Sequence, residues 1–100
     1  MSPRISLNRE RLTDFCKLNH IRRLAFFGSV LRDDFRPESD VDVLVEFEIG
    51  FTPGLAFFRI ENELSTLLGR RADLNTPKFL SRYIRHRVVK ESEVLYAKAG

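Results

Sequence analysis

Residues 28–45 read Gly28-Ser29-Val30-Leu31-Arg32-Asp33-Asp34-Phe35-Arg36-Pro37-Glu38-Ser39-Asp40-Val41-Asp42-Val43-Leu44-Val45, and Glu46-Phe47 follow. The second half alternates. Val41, Val43, Val45 and Phe47 fall on one side of an extended chain and Asp40, Asp42, Leu44 and Glu46 on the other, because successive strand side chains point to opposite faces. Just upstream, Ile21 to Phe27 carries the apolar run Leu24-Ala25-Phe26-Phe27, which stops at Gly28 and reads as a buried strand. Gly28 permits close approach to the backbone, and Ser29 stands where a short helical turn, Val30 to Asp33, begins. Such a turn suits a phosphate, and it equally suits a plain strand-to-helix connection with Ser29 as its cap.

On the N-terminal side, Leu12, Phe15 and Cys16 recur at helical spacing, predicting an amphipathic helix from about Asn8 to Asn19 with Asn8 as its N-cap. On the C-terminal side, Thr52-Pro53 reads as a helix start, and Phe57, Ile60, Leu64, Leu67 and Leu68 form a helical stripe that ends before Gly69. Arg71 to Asn75 fits a third strand, with Ala72 and Leu74 on one face and Asp73 on the other. Thr76-Pro77 repeats the helix-start signal ahead of Phe79, Leu80, Tyr83, Ile84 and Val88, an apolar stripe read as helix packing. Glu93 to Ala97 fits either an edge strand or a helix end. The order predicts an α/β sandwich, one domain spanning residues 1–100, with helices covering one face of a small mixed sheet and the acidic residues on the other.

The 100 residues are 43% hydrophobic and 31% charged, the make-up of an ordinary globular domain. No apolar run approaches the roughly 18 residues of a membrane span, and nothing near the N-terminus resembles a signal-peptide core, so a cytoplasmic location is expected. The single Cys16 excludes an internal disulfide and a cysteine metal cage, and its helical setting marks it as a buried small hydrophobe. A net charge of +3 suits a polyanionic ligand, although the basic residues are scattered as on a solvated surface. His20 and His86 have no partners at catalytic or metal spacing and read as ordinary surface or core-edge residues.

Asp40 and Asp42, two apart, project to one side of their strand, and Asp73 projects away from the apolar face of a neighbour. Three converging carboxylates repel one another unless they bind divalent cations, and hard oxygen donors in this number favour Mg²⁺ or Mn²⁺. An Asp-x-Asp pair by itself is more often a solvated surface. The Gly28-Ser29 turn ahead of it narrows the reading.

Taken together, Gly28-Ser29, the Ser39-Asp40-Val41-Asp42 wording with its apolar tail, Arg32 three places after Ser29 and a later strand bearing Asp73 resemble the signature of the DNA polymerase beta-like nucleotidyltransferases. Within them the chain is most similar to the minimal, MNT-type branch, and the resemblance spans essentially its whole length. It implies two Mg²⁺ ions bound by Asp40, Asp42 and Asp73, with Asp73 also helping to activate the incoming hydroxyl. It further implies a nucleoside triphosphate, ATP, held by Gly28 and Ser29. Arg32 is a candidate phosphate or nucleophile contact, and it reads equally well as a solvent-facing arginine. Two features depart from the pattern: Asp33-Asp34 add negative charge beside the phosphate turn, and the third acid lies in the polar setting Arg71-Ala72-Asp73-Leu74-Asn75.

The resemblance also implies adenylylation of a hydroxyl on a co-encoded helical HEPN protein, as the antitoxin of a toxin–antitoxin pair. A chain this size leaves little room for an acceptor pocket, and the basic residues Arg82, Arg85, Arg87 and Lys90 are candidate docking points for an acidic partner. The alternative is a non-catalytic module that neutralises its partner by occlusion, which predicts damage to the acids. All three acids are present. A nucleic-acid reader is disfavoured because the acidic cluster would repel phosphate and no helix is basic enough to enter a groove.

Overall fold

A computed structural model describes residues 8–31 and 40–98, apart from the Phe79 side chain. The elements run α1 (Arg9–Leu18), β1 (Ile21–Phe27), a 3₁₀ turn (Gly28–Leu31), β2 (Val41–Phe47), α2 (Ala56–Leu68), β3 (Ala72–Asn75), a second 3₁₀ turn (Pro77–Phe79), α3 (Arg82–Glu91) and β4 (Glu93–Ala97). The sheet order is β3-β2-β1-β4; β1 is antiparallel to both β2 and β4, and β2 is parallel to β3. The fold is therefore mixed α/β, with the two central strands being the two that flank the Gly28–Asp42 stretch.

The alternation of β2 becomes its packing. Val41, Val43 and Val45 are fully buried in one core with Leu24 and Phe26 of β1, Leu12, Phe15 and Cys16 of α1, and Ile60, Leu64 and Leu68 of α2. Helices α1 and α2 thus cover the valine face and leave Asp42 on the opposite one. α1 begins where the sequence predicts, the Asn8 carboxamide oxygen accepting from Arg11 N–H at 3.0 Å. α2 closes at Gly69, whose φ of +72° lets the last turn end with Gly69 N–H and Arg70 N–H donating back to Thr66 and Ser65.

Three expectations change. Thr52-Pro53 opens a turn through Gly54, and α2 starts only at Ala56, because Thr52 supplies no cap. Thr76-Pro77 likewise opens a 3₁₀ turn; α3 starts five residues later, where the Ser81 hydroxyl accepts from Tyr83 N–H at 3.3 Å. The predicted packing stripe of α3 is consequently loose: the helix has no buried residue, Tyr83 is 88% exposed and Ile84 47%. Glu93–Ala97 is an edge strand, fixed by its pairing with β1, a partner that its own sequence cannot name. Among the described residues no helix is long and apolar enough to cross a membrane.

Cys16 is fully buried, and burial pushes its thiol pKa from 9.0 up to about 12. Between those values the unfolded chain has lost the thiol proton while the folded chain keeps it, so stability falls as pH rises through that window. Denaturation midpoints measured from pH 8 to 11 should decline more steeply for the native chain than for Cys16→Ala, by up to about 1.4 kcal/mol per pH unit above 9. Parallel declines would show that the thiol is not the group responsible.

Candidate active site

β1 ends and β2 begins at the same end of the sheet, and the site is assembled there. Phe27 pairs with Asp42 across β1 and β2, and Asp42 pairs with Asp73 across β2 and β3. Register partners project from the same face, so the carboxylates of Asp42 and Asp73 stand side by side on strands about 4.8 Å apart. Asp42 is half-buried and Asp73 exposed.

Gly28 closes the other side of Asp42. Its φ is +76°, and a β-carbon at this position would overlap the Asp42 carboxylate. Glycine is therefore required twice, for its backbone conformation and for the space it leaves to the acid. Ser29 lies in the 3₁₀ turn that follows and is partly accessible. Arg32, with Asp33 and Asp34, lies outside the described residues.

Asp40 sits at the entrance to β2, exposed, with its carboxylate 3.8 Å from Arg71 Nε. The same Arg71 accepts Val41 N–H through its carbonyl at 2.9 Å, tying the start of β2 to the base of β3. Among the described residues no three acidic, histidine or cysteine side chains close on one point that could hold a metal ion. Two of the predicted ligands are thus adjacent, and the third is turned towards an arginine. Carboxylate oxygens are the hard donors Mg²⁺ takes, and Asp40, two residues from Asp42, is exposed and engaged in an ion pair worth only about 0–1 kcal/mol. The donor set fits a divalent cation once that pair opens.

Asp73 is held from behind by two side chains of α2 that the sequence reading passed over. β3 is an edge strand, and its outward N–H groups need partners. Ala72 N–H donates to Ser65 Oγ and Leu74 N–H to Glu61 Oε2, each at 2.8 Å. These bonds clamp the residues on either side of Asp73. The available signal was the i, i+4 spacing of Glu61 and Ser65, beside the buried stripe of α2.

Other predicted residues stand apart from the site. His20 stacks on Phe51 with ring centroids 4.6 Å apart, and His86 is exposed. Of the candidate docking residues, Arg85 is occupied, donating to the carbonyls of Pro77 at 2.7 Å and Leu80 at 3.1 Å. Arg82, Arg87 and Lys90 are exposed, with Arg87 paired to Glu91.

The model of the nucleotidyltransferase domain matches residues 9–95. The protein adenylyltransferase MntA of Thermococcus cleftensis is 38% identical over 71 residues, covering 71% of each chain. A solved structure assigned to the minimal nucleotidyltransferases is 37% identical and superposes with a TM-score of 0.70, covering 84% of this chain and 85% of its own. A complex of an MNT antitoxin with the tri-AMPylated HEPN toxin of Shewanella oneidensis shares the fold at 18% identity, with a TM-score of 0.62 over 90% of this chain and 70% of its own. With the family match running from α1 to β4, and the glycine turn and Asp-x-Asp strand meeting at one end of the sheet, the chain belongs to the nucleotidyltransferase domain family, in its minimal, MntA-like branch.

Proposed function

We propose that the chain transfers AMP from ATP to a hydroxyl on a partner protein of the HEPN type, acting as the antitoxin that adenylylates and so neutralises it. The observation that carries this reading is the placement of Asp42 and Asp73 in register beside Gly28, a side-by-side acid pair at the turn suited to phosphate. The MntA relative is a protein adenylyltransferase, and the Shewanella complex holds a HEPN toxin already AMPylated. In the reaction the acceptor oxygen bonds to the α-phosphorus, the bond from that phosphorus to the bridging oxygen breaks, and pyrophosphate leaves. Asp73, exposed on the edge strand, is the carboxylate best placed to take the hydroxyl proton as an acceptor enters from solvent. Asp40, Asp42 and Asp73 would hold Mg²⁺, two ions, whose chemistry is to neutralise charge on the attacking and leaving oxygens. Gly28 and Ser29 would receive the triphosphate, and Arg32, three places after Ser29 in the sequence, is a further candidate contact.

Incubating the chain with α-labelled ATP and Mg²⁺, with and without its co-encoded neighbour, tests the reading directly. Label should appear on the neighbour as an added AMP by intact mass. Label on nucleic acid or a small molecule alone would overturn the protein acceptor. Ser29→Ala should weaken Mg²⁺-ATP binding by about one hydrogen bond, on the order of 1 kcal/mol, as read by calorimetry; unchanged affinity would place the phosphates elsewhere.

One observation favours a second reading, neutralisation by occlusion: Asp40 is engaged by Arg71, and the acids do not close on one point. Under that reading the neighbour is inhibited without gaining mass, and Arg71→Ala changes nothing. Under the catalytic reading Arg71→Ala frees Asp40.

A further inference from the structure

The edge of β3 that faces away from β2 is closed by side chains of α2, and the closure is periodic. Arg71 C=O accepts Val41 N–H on the β2 side, so alternation turns the main-chain groups of Asp73 towards β2 and those of Ala72 and Leu74 outwards. There Ala72 N–H meets Ser65 Oγ and Leu74 N–H meets Glu61 Oε2, both at 2.8 Å. Four residues of helix rise about 6.0 Å and two residues of strand about 6.6 Å, so Glu61 and Ser65, one turn apart, match the spacing of the two outward donors. β3 follows α2 through the turn at Gly69 and runs back along it, which sets Ser65 against the nearer donor and Glu61 against the farther.

Hydrogen bonding alone does not require this arrangement. An N–H at an outer sheet edge can bond to water, whereas Glu61 and Ser65 give up rotamer freedom to hold these two. Both are half-buried, and Ser65 Oγ is itself fixed, donating to the Glu61 carbonyl at 2.9 Å. Asn75 adds a further tie, its carboxamide donating to the Asp73 carbonyl at 3.1 Å. The residue enclosed by these bonds is Asp73, exposed and in register with Asp42. What the bonds fix is therefore the backbone that carries an exposed carboxylate.

We propose that Glu61 and Ser65 are positioning residues for the reaction: they set where the Asp73 carboxylate stands beside Asp42, without touching nucleotide or acceptor. The assignment rests on the nucleotide-transfer reading above and adds two residues of α2 to it. β3 is four residues long and has a strand neighbour on one side only, so loss of the α2 bonds leaves Asp73 held from that side alone. The Gly28–Ser29 turn lies beyond β2, at the end of β1, and keeps its place. Nucleotide binding and AMP transfer should then respond differently to the same substitution.

The test is kinetics on the full chain with its co-encoded partner, ATP and Mg²⁺, beside amide hydrogen exchange on the same proteins. In Glu61→Ala the amides of β3 should exchange faster, kcat for AMP transfer should fall about tenfold, and KM for ATP should stay within about twofold, the split expected when a reacting group is misplaced by less than about 1 Å. Glu61→Gln keeps an oxygen acceptor at the same reach and should recover most of kcat. Ser65→Ala, a smaller change, should show the same split more weakly, and it carries the test if Glu61→Ala folds poorly. Unchanged exchange, faster exchange with kcat intact, a kcat loss shared equally by Glu61→Gln, or a KM rising in step with the fall in kcat would each overturn the positioning role. Transfer by the native chain would still stand in those cases, with α2 serving only to cover the strand edge. No transfer by the native chain, with exchange in β3 responding as described, would overturn nucleotide transfer itself and the positioning role with it.

Discussion

Asp42→Asn should reduce AMP transfer by about a thousandfold, which at 1.4 kcal/mol per tenfold is roughly 4 kcal/mol of transition-state stabilisation. The size of the effect follows from position. Asp42 is the middle member of the site, in register with Asp73 on one side and packed against Gly28 on the other, so it is the one carboxylate with neighbours of both kinds. Replacing one carboxylate oxygen by an amide nitrogen keeps the shape, removes the charge and turns a hard anionic donor into a poor one. The fold should not suffer, because Asp42 and Asp73 repel each other when no cation lies between them and neutralising one relieves that repulsion. Transfer of labelled AMP to the co-encoded partner and the denaturation midpoint, measured on one preparation, therefore separate a chemical loss from a structural one. A variant that keeps its stability and its full transfer rate would remove Asp42 from the chemistry and favour neutralisation by occlusion.

What was legible in the sequence is what depends on strand periodicity. The alternation from Val41 to Phe47 sets which side chains meet the helices, so the placement of Asp42 opposite the valines could be read before any contact was known. The same rule placed Asp73, since Ala72 and Leu74 are both buried and the residue between them must face the other way. Helix starts were less legible. Thr-Pro is equally good at opening a turn, and at both Thr52 and Thr76 the chain turns first and becomes helical four and six residues later. Before α3 the chain is held by Arg85 reaching back to Pro77 and Leu80, a contact between an arginine and two carbonyls that no local pattern announces.

The remaining features are tertiary and had no local signal. β4 pairs with β1, nearly seventy residues earlier, a partner that no local pattern in β4 names. Arg71 meets Asp40 because β3 lies parallel beside β2, and the acids consequently do not converge in the way their spacing alone suggests. The sequence contains the carboxylates; the sheet decides which of them begin in reach of one another.

Gly28→Ala should lower both stability and transfer, and the two losses should share one cause. A β-carbon at φ +76° carries the steric cost of left-handed backbone, about 1–2 kcal/mol, and this part depends only on residue 28. A second part arises because the same β-carbon occupies the space of the Asp42 carboxylate, which must then rotate out of line with Asp73. The two parts are separable by a double-mutant cycle with Asp42→Ala, which removes the clashing group but leaves the backbone strain. In the native background Gly28→Ala should destabilise by about 3 kcal/mol; in the Asp42→Ala background only the 1–2 kcal/mol of backbone strain should remain. Transfer by Gly28→Ala should fall at least about a hundredfold, the result of a carboxylate displaced by roughly 1 Å. Gly28→Val, with a larger side chain at the same point, should be worse on both counts. Equal destabilisation in the two backgrounds would show that Gly28 serves only the turn. Coupling between the two positions would establish that the glycine of the turn after β1 is also what holds the central carboxylate in place.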